Sequence, residues 1–293
     1  MQEVAYVNGV FCPMDQAKVS INDRGFQYGD SIYEVIAAYA GRPFQLEAHL
    51  DRLRASLEAL SIPLDLSTLK IESVIREGLR RCGFEEAMAY IQISRGEAPR
   101  SHIPPADIKP TIVMTFRALP PVPAALRKHG ASIMTAPEIR WAKCYIKATT
   151  LLPNVLTRMQ ARAAGFHDAI FVADGGDVRE GTSSNVALVR GGRLLFPCRD
   201  QSILHGVTLL TVTECAAHLD IPWDERPVNV RELLTADEVF LTSTTEEVLP
   251  VTRIDGNPIG DGDVGPITRR MMETYADLTR GRGVFESRLR HSA

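Results

Sequence analysis

Apolar and polar positions divide this chain into short strands and a few longer helices. Ala5-Tyr-Val-Asn8-Gly9-Val-Phe11 places an Asn-Gly pair between alternating apolar residues, and such a pair supplies the positive φ values a two-residue hairpin turn needs. After the polar loop Asn22-Asp-Arg-Gly25, residues 32–36 read as a strand that continues through Ala40-Gly-Arg-Pro43 into a second hairpin. From Leu46 the period changes. Leu46, Leu50, Leu53, Leu57 and Leu60 follow steps of four and three, one buried helical stripe flanked by His49 and Arg52. Residues 69–81 read as a second helix capped by Ser67 or Thr68. Residues 88–94 and 111–116 read as strands, the second more continuously apolar and expected to be the more buried. Further along, 131–135, 169–173 and 238–241 are strand candidates, and 154–164 is helical by the spacing of Val155, Met159 and Ala163. A helix follows Gly206, and residues 266–278 close the chain as another.

Leu119-Pro-Pro-Val-Pro-Ala124 interrupts this succession, since consecutive prolines stop helix and central strand alike and favour a stiff extended path. With 293 residues the chain is long enough for two modest domains. We expect a smaller domain over 1–118, a linker over 119–125 and a larger domain over 126–293. A net charge of -3 provides no electrostatic attraction for nucleic acid or an anionic membrane. The basic stretch 280–290 reads as a solvated end. Five cysteines without a CxxC pair point to reduced thiols and the cytoplasm. There is no signal-peptide pattern at the start and no apolar run approaching the roughly 20 residues of a membrane span. The seven histidines show no metal-ligand spacing, so no metal is expected.

Candidate chemistry gathers after the prolines. Lys147 closes the apolar-aromatic run Trp141-Ala-Lys-Cys-Tyr-Ile-Lys147. Desolvation there would lower its pKa from the free value of about 10.4, and a neutral amine is a Schiff-base nucleophile. Only five other lysines occur, all before it, and Lys143 is the near rival. Glu180 and the hydroxyls after it are suited to a basic heterocycle and a phosphate. The unpaired amides of a helix start at Gly206-Val-Thr208 suit an anion. Arg100 and His102, two apart in a Pro-rich loop, would point the same way in an extended segment and offer a two-pronged donor to a carboxylate. Each has a plainer reading taken singly: a half-buried lysine, a snorkelling Arg52, a packing Tyr33, turn-forming Ser183, Ser184 and Asn185.

The ordered set of motifs narrows the choice. Val7-Asn-Gly9, Gly29-Asp30-Ser-Ile-Tyr33-Glu34, His49-Leu-Asp-Arg52-Leu, Pro99-Arg100-Ser-His102, Ile146-Lys147, Glu180-Gly-Thr-Ser-Ser-Asn185, Gly206-Val-Thr208, Thr242-Ser-Thr-Thr245 and Gly262-Asp-Val-Gly265 together resemble the class IV pyridoxal-phosphate aminotransferases of fold type IV. The branch they look most like is that of the D-amino acid aminotransferases. The resemblance implies an α+β (mixed α/β) fold with a smaller N-terminal α/β sandwich, a larger β-barrel-like C-terminal domain and the active site in the cleft between them. It implies pyridoxal 5′-phosphate as cofactor and Lys147 as its Schiff-base anchor and proton carrier. Arg52, the amides of Val207 and Thr208, and Ser243 and Thr244 would hold the phosphate. Glu180 would face the pyridine nitrogen, Ser184 and Asn185 would line the ring, and Leu204 would lie behind it. Tyr33, Arg100 and His102 would grip the substrate carboxylate; branched-chain enzymes lack the Arg-x-His loop, so the substrate class rests on it.

The implied reaction is ping-pong transamination of a D-alanine-like donor with 2-oxoglutarate or pyruvate, in a cytoplasmic homodimer whose partner loops close each cleft. A branched-chain L-aminotransferase, an (R)-selective amine transaminase and 4-amino-4-deoxychorismate lyase share the scaffold. A silent cofactor-binding protein is the non-enzyme alternative. Relatives commonly carry arginine where this chain has Leu209, which puts a surface or interface contact in doubt.

Overall fold

The computed structural model describes residues 1–282, and the chain forms two compact units. The first comprises Met1–Pro120 and Ile146–Leu151, the second Pro121–Tyr145 and the chain from Leu152 onward. The division falls inside the proline run. Lys147, however, expected in the second domain, belongs to the first unit. Residues 283–290 of the basic stretch lie outside the described residues, while Arg280 pairs with Glu247 at 3.0 Å.

In the first unit, β1 (Val4–Val7) and β2 (Val10–Pro13) form the hairpin, with Asn8 and Gly9 at φ of 47° and 101°. A short α1 (Arg24–Tyr28) leads into β3 (Ser31–Tyr39), which turns at Ala40-Gly41 into β4 (Arg42–Pro43). Helices α2 (Leu46–Ala59) and α3 (Ile71–Cys82) follow, then β5 (Glu86–Ser94) and β6 (Thr111–Ala118). The six strands make one antiparallel sheet in the order β2-β1-β6-β5-β3-β4.

Leu46, Leu50, Leu53 and Leu57 are buried as their spacing requires, and His49 joins them. Leu60, the last of the series, is the residue after the helix and only half-buried. The cap expected for α3 is not there. Lys70 precedes the helix at φ 49° without a side-chain cap, because the Ser67 and Thr68 hydroxyls both turn back to Asp65. Nor is β6 buried throughout: it alternates buried and half-buried positions like β5, as a strand with only one face against helices must.

The segment around Lys147 joins this unit through the edge of β3. The Tyr33 amide donates to the Lys147 carbonyl at 2.9 Å, Ala148 bridges Ile32, and the Thr149 amide donates to the Ser31 carbonyl at 3.0 Å. An otherwise unpaired strand edge is thereby satisfied.

The second unit begins with α4 (Ala124–His129), β7 (Ala131–Pro137) and α5 (Leu152–Ala163). Strands β8 (Ala169–Val172), β9 (Val178–Gly181), β10 (Asn185–Arg190) and β11 (Arg193–Phe196) follow. Then come α6 (Val207–His218), β12 (Trp223–Glu225), α7 (Val230–Leu234), β13 (Glu238–Ser243), β14 (Glu247–Ile254), β15 (Asn257–Pro258) and α8 (Pro266–Thr279). The sheet runs β12-β11-β10-β13-β14-β7-β8-β9, with β15 on β14, and curls so that β9 comes against β10. One face carries the core of Ile133, Ile170, Val186, Leu188, Leu241, Leu249 and Val251. On α5 the period predicts the right element but the wrong face: Val155 and Met159 are 49% and 62% exposed, and Thr157 and Ala161 are the buried residues.

A methyl group added at Gly78 of α3 would lie 2.2 Å from the ring of fully buried Phe116. Gly-to-Ala in an open helix stabilises by about 1 kcal/mol. Here overpacking reverses the sign, and Gly78→Ala should destabilise by about 1–3 kcal/mol. Urea unfolding measures this, and adding Phe116→Leu should restore most of the loss.

Candidate active site

Glu34 organises the part of the site that lies in the first unit. Its position on β3 faces α2 between Ile32 and Ile36, and its side chain is 1% exposed. Arg52 donates through Nε to Oε1 at 2.6 Å and through Nη2 to Oε2 at 2.8 Å, and His49 Nδ1 lies 2.8 Å from Oε2. Burial opposes ionisation of Glu34, but the charge and hydrogen bonds of Arg52, with the bond from His49, outweigh it and hold the carboxyl at about 2. Burial pushes the His49 imidazole below its ordinary value, against the pull of Glu34. Sequence reading singles out Arg52 without the acid that orients it. The available signal is an acidic residue at an inward strand position, where a carboxylate needs a cationic partner.

Tyr33 points away from this face, half-buried, with its ring 5.8 Å from that of Tyr90. The Lys147 ammonium lies 4.3 Å from the centre of the Tyr33 ring. These two predicted residues are thus brought together. Arg100 and His102 gather instead on Tyr28 of α1, both exposed, in the loop between β5 and β6.

In the second unit, Glu180 closes β9 against a group of donors. Arg140 Nη1 donates to its Oε1, the Leu204 amide to Oε2 at 3.0 Å and Asn185 Nδ2 to Oε2 at 3.2 Å. Arg140 also binds Glu138 at 2.6 Å and the Ser202 carbonyl at 3.1 Å, and its guanidinium lies 4.5 Å from the Phe171 ring centre. Burial works against the Arg140 charge, but Glu138 and Glu180 overcome it and raise its pKa. Two carboxylates around one guanidinium leave the group net negative, suited to a cationic ring nitrogen.

Asn185 joins this acid to the start of α6. Its Nδ2 also donates to the Leu204 carbonyl at 2.8 Å, and its Oδ1 would lie 1.9 Å from a methyl group on Gly206. Only glycine fits there. No side chain among the described residues caps α6, so the first-turn amides of Val207 and Thr208 remain for an anion. Opposite Asn185 in the ladder stands Thr242, 2% exposed, whose hydroxyl has no partner among the described residues. The Ser184 hydroxyl is likewise buried without one. Ser243 accepts the Glu246 amide at 3.1 Å, and Thr244 lies half-buried in the same turn. Within this unit the Glu180 carboxylate and the start of α6 are therefore joined through one asparagine. Leu209, where relatives commonly carry arginine, is 2% exposed and packs internally.

Residues 31–254 match the model of the family described as amino-transferase class IV. The D-alanine aminotransferase of Staphylococcus haemolyticus is 37% identical over 271 residues, 92% of this chain and 95% of that protein. That of Bacillus licheniformis is 38% identical over 267 residues, 90% and 93% of the two chains. Among solved structures, the branched-chain amino acid aminotransferase of Escherichia coli superposes with a TM-score of 0.88 at 26% identity, covering 96% of each chain. The branched-chain aminotransferase of the archaeon Thermoproteus uzoniensis, solved with norvaline, gives a TM-score of 0.84 at 27% identity, again covering 96% of each chain. Another branched-chain amino acid aminotransferase, from T.th. and complexed with N-(5′-phosphopyridoxyl)-L-glutamate, gives 0.86 at 28% identity, covering 97% and 96%.

The lowered pKa of Glu34 means that its ionised form stabilises the fold above the ordinary value of 4.5, a contribution lost as the pH falls toward about 2. Glu34→Gln lacks this term, so the stability gap between wild type and variant should narrow by about 1 kcal/mol between pH 6 and about 3.5. Urea titrations at the two pH values measure it. Thr242→Val removes a buried hydroxyl that has no partner, so the ligand-free variant should melt no lower than wild type. Inorganic phosphate should raise its melting temperature less.

Proposed function

The chain belongs to the class IV aminotransferases, and on that premise we propose that it moves the amino group of a D-alanine-like D-amino acid to 2-oxoglutarate or pyruvate, with pyridoxal 5′-phosphate as cofactor. The observation that carries the donor class is the pair Arg100 and His102. They are exposed, two apart, and neither has an acidic partner among the described residues. The same reading is supported by D-alanine aminotransferase relatives at 35–38% identity over most of the chain.

When bound, pyridoxal phosphate supplies an aldehyde that captures amines and a ring that withdraws electrons from the substrate Cα. Lys147 would be its covalent anchor, and the Lys147 amine would carry the proton to and from the substrate Cα. Glu180, paired with Arg140, would face the ring nitrogen and favour its protonated form. Arg52, set by Glu34, and the Val207 and Thr208 amides would hold the phosphate, with the Ser243 and Thr244 hydroxyls, and Thr242 would add a further donor. Ser184, Asn185 and Leu204 shape the ring's seat. Tyr33, Arg100 and His102 bind the substrate carboxylate. A cytoplasmic homodimer belongs to the same reading: all five cysteines are unpaired and α5 presents an apolar face. No helix among the described residues is long and apolar enough to cross a membrane.

Branched-chain L-amino acids are the second reading, favoured by the close superposition on branched-chain enzymes. The holoprotein should change its cofactor absorption with D-alanine and not with L-leucine. The reverse would establish the branched-chain reading, and no change with amino acids of either hand would mark a silent binding protein. Borohydride should fix the cofactor on Lys147, and Lys147→Ala should take up none. Label on Lys143 would overturn the assignment of the anchor.

A further inference from the structure

The loop that carries Arg100 and His102 is held by α1 at two levels. Arg24, 5% exposed, donates through Nη1 to the Ser101 carbonyl at 2.5 Å and through Nη2 to the His102 carbonyl at 3.1 Å. Its Nε is fixed by Asp30 at 2.8 Å. Asp30 is fixed in turn by Arg95, which also donates to the Leu60 and Ser61 carbonyls. Four residues after Arg24, Tyr28 provides the surface for the side chains. The Arg100 guanidinium carbon lies 4.9 Å from its ring centre, and the His102 ring meets it edge-on with centroids 5.8 Å apart.

The arrangement has an electrostatic asymmetry. Arg24 also lies 4.9 Å from the centre of the Tyr28 ring, so two guanidinium groups share one aromatic. Asp30 neutralises Arg24, and burial of that carboxyl is outweighed by Arg95 and Arg24, which hold it ionised. Arg100 has no such partner among the described residues. Its charge is compensated only by the ring, and its donors are available to an incoming anion.

Helix α1 is itself firmly seated. Asp23, 3% exposed, caps it through the Gly25 amide at 2.8 Å and accepts the Ser94 hydroxyl at 2.8 Å, and Gly29 ends it at φ 65°. A long flexible arginine in a loop would lose much rotamer freedom on meeting a ligand. Here ring contact and fixed carbonyls impose that order on folding, which is how preorganisation raises affinity.

We propose that Tyr28 and Arg24 are positioning residues that set Arg100 and His102 for the substrate carboxylate, so that α1 governs discrimination between amino acids and amines lacking that group. The proposal rests on the assignment of Arg100 to the carboxylate. Tyr28→Leu removes the ring, whereas Tyr28→Phe keeps it and loses only a hydroxyl that is buried without a partner.

Spectral titration of the holoenzyme with D-alanine and with D-alaninol, which bears a hydroxymethyl in place of the carboxylate, separates the possibilities. Tyr28→Leu should raise the D-alanine dissociation constant and KM about tenfold, leave kcat within about twofold, and leave the D-alaninol constant unchanged. Tyr28→Phe should match wild type, and Tyr28→Leu should cost clearly less in the Arg100→Ala background, where only His102 is left to position, than in wild type. Equal weakening toward both ligands would reveal a merely structural residue and overturn the proposal. So would a D-alanine constant unchanged in Tyr28→Leu while Arg100→Ala weakens it. If Arg100→Ala itself leaves D-alanine unaffected, the carboxylate assignment falls and the proposal falls with it. Tyr28→Met, read the same way, substitutes for the leucine variant should that fail to fold.

Discussion

A carboxylate removed from water must be met by a cation and by hydrogen-bond donors, and that requirement recurs at three places in this chain. Glu34 orients Arg52, Glu180 orients Arg140, and Asp30 orients Arg24. Desolvating both partners is costly, and the net gain in stability from such a pair is often small. What the pairing secures is position. A guanidinium fork bound along one edge by a carboxylate has few remaining orientations, so the donors left over point in defined directions.

The three pairs are not equivalent. At Glu34 and Asp30 the acid is a fixed support for the arginine, and Arg24 turns its remaining donors to the carbonyls of a loop. At Glu180 the roles reverse: Arg140 is enclosed by two carboxylates and a carbonyl, and the acid is the group presented. The same side-chain chemistry thus fixes a cation in one place and presents an acid in another.

Fold and substrate separate cleanly here. The chain superposes on branched-chain aminotransferases with TM-scores up to 0.88, yet its D-alanine aminotransferase relatives are the more similar in sequence. A shared backbone carries the cofactor chemistry common to the family, while substrate choice depends on a few side chains set on loops.

Much was legible in the chain itself, wherever the information is local. The Asn8-Gly9 turn, the leucine stripe of α2 and the proline break near 120 follow from backbone preferences and side-chain period. The motifs around Lys147 and Glu180 likewise marked the family. Tertiary structure decided the rest. It turned Ser67 and Thr68 toward Asp65 instead of capping α3, exposed the apolar face of α5, and drew the Lys147 segment onto the edge of β3. It also brought Arg140 to Glu180 across 40 positions and Arg24 to the carbonyls of a loop 77 positions away. Period and propensity act over a few residues, so they specify elements and their faces. Which strand edge is left unpaired, and which buried charge meets which partner, depends on segments distant in sequence, and those contacts exist only once the chain has folded.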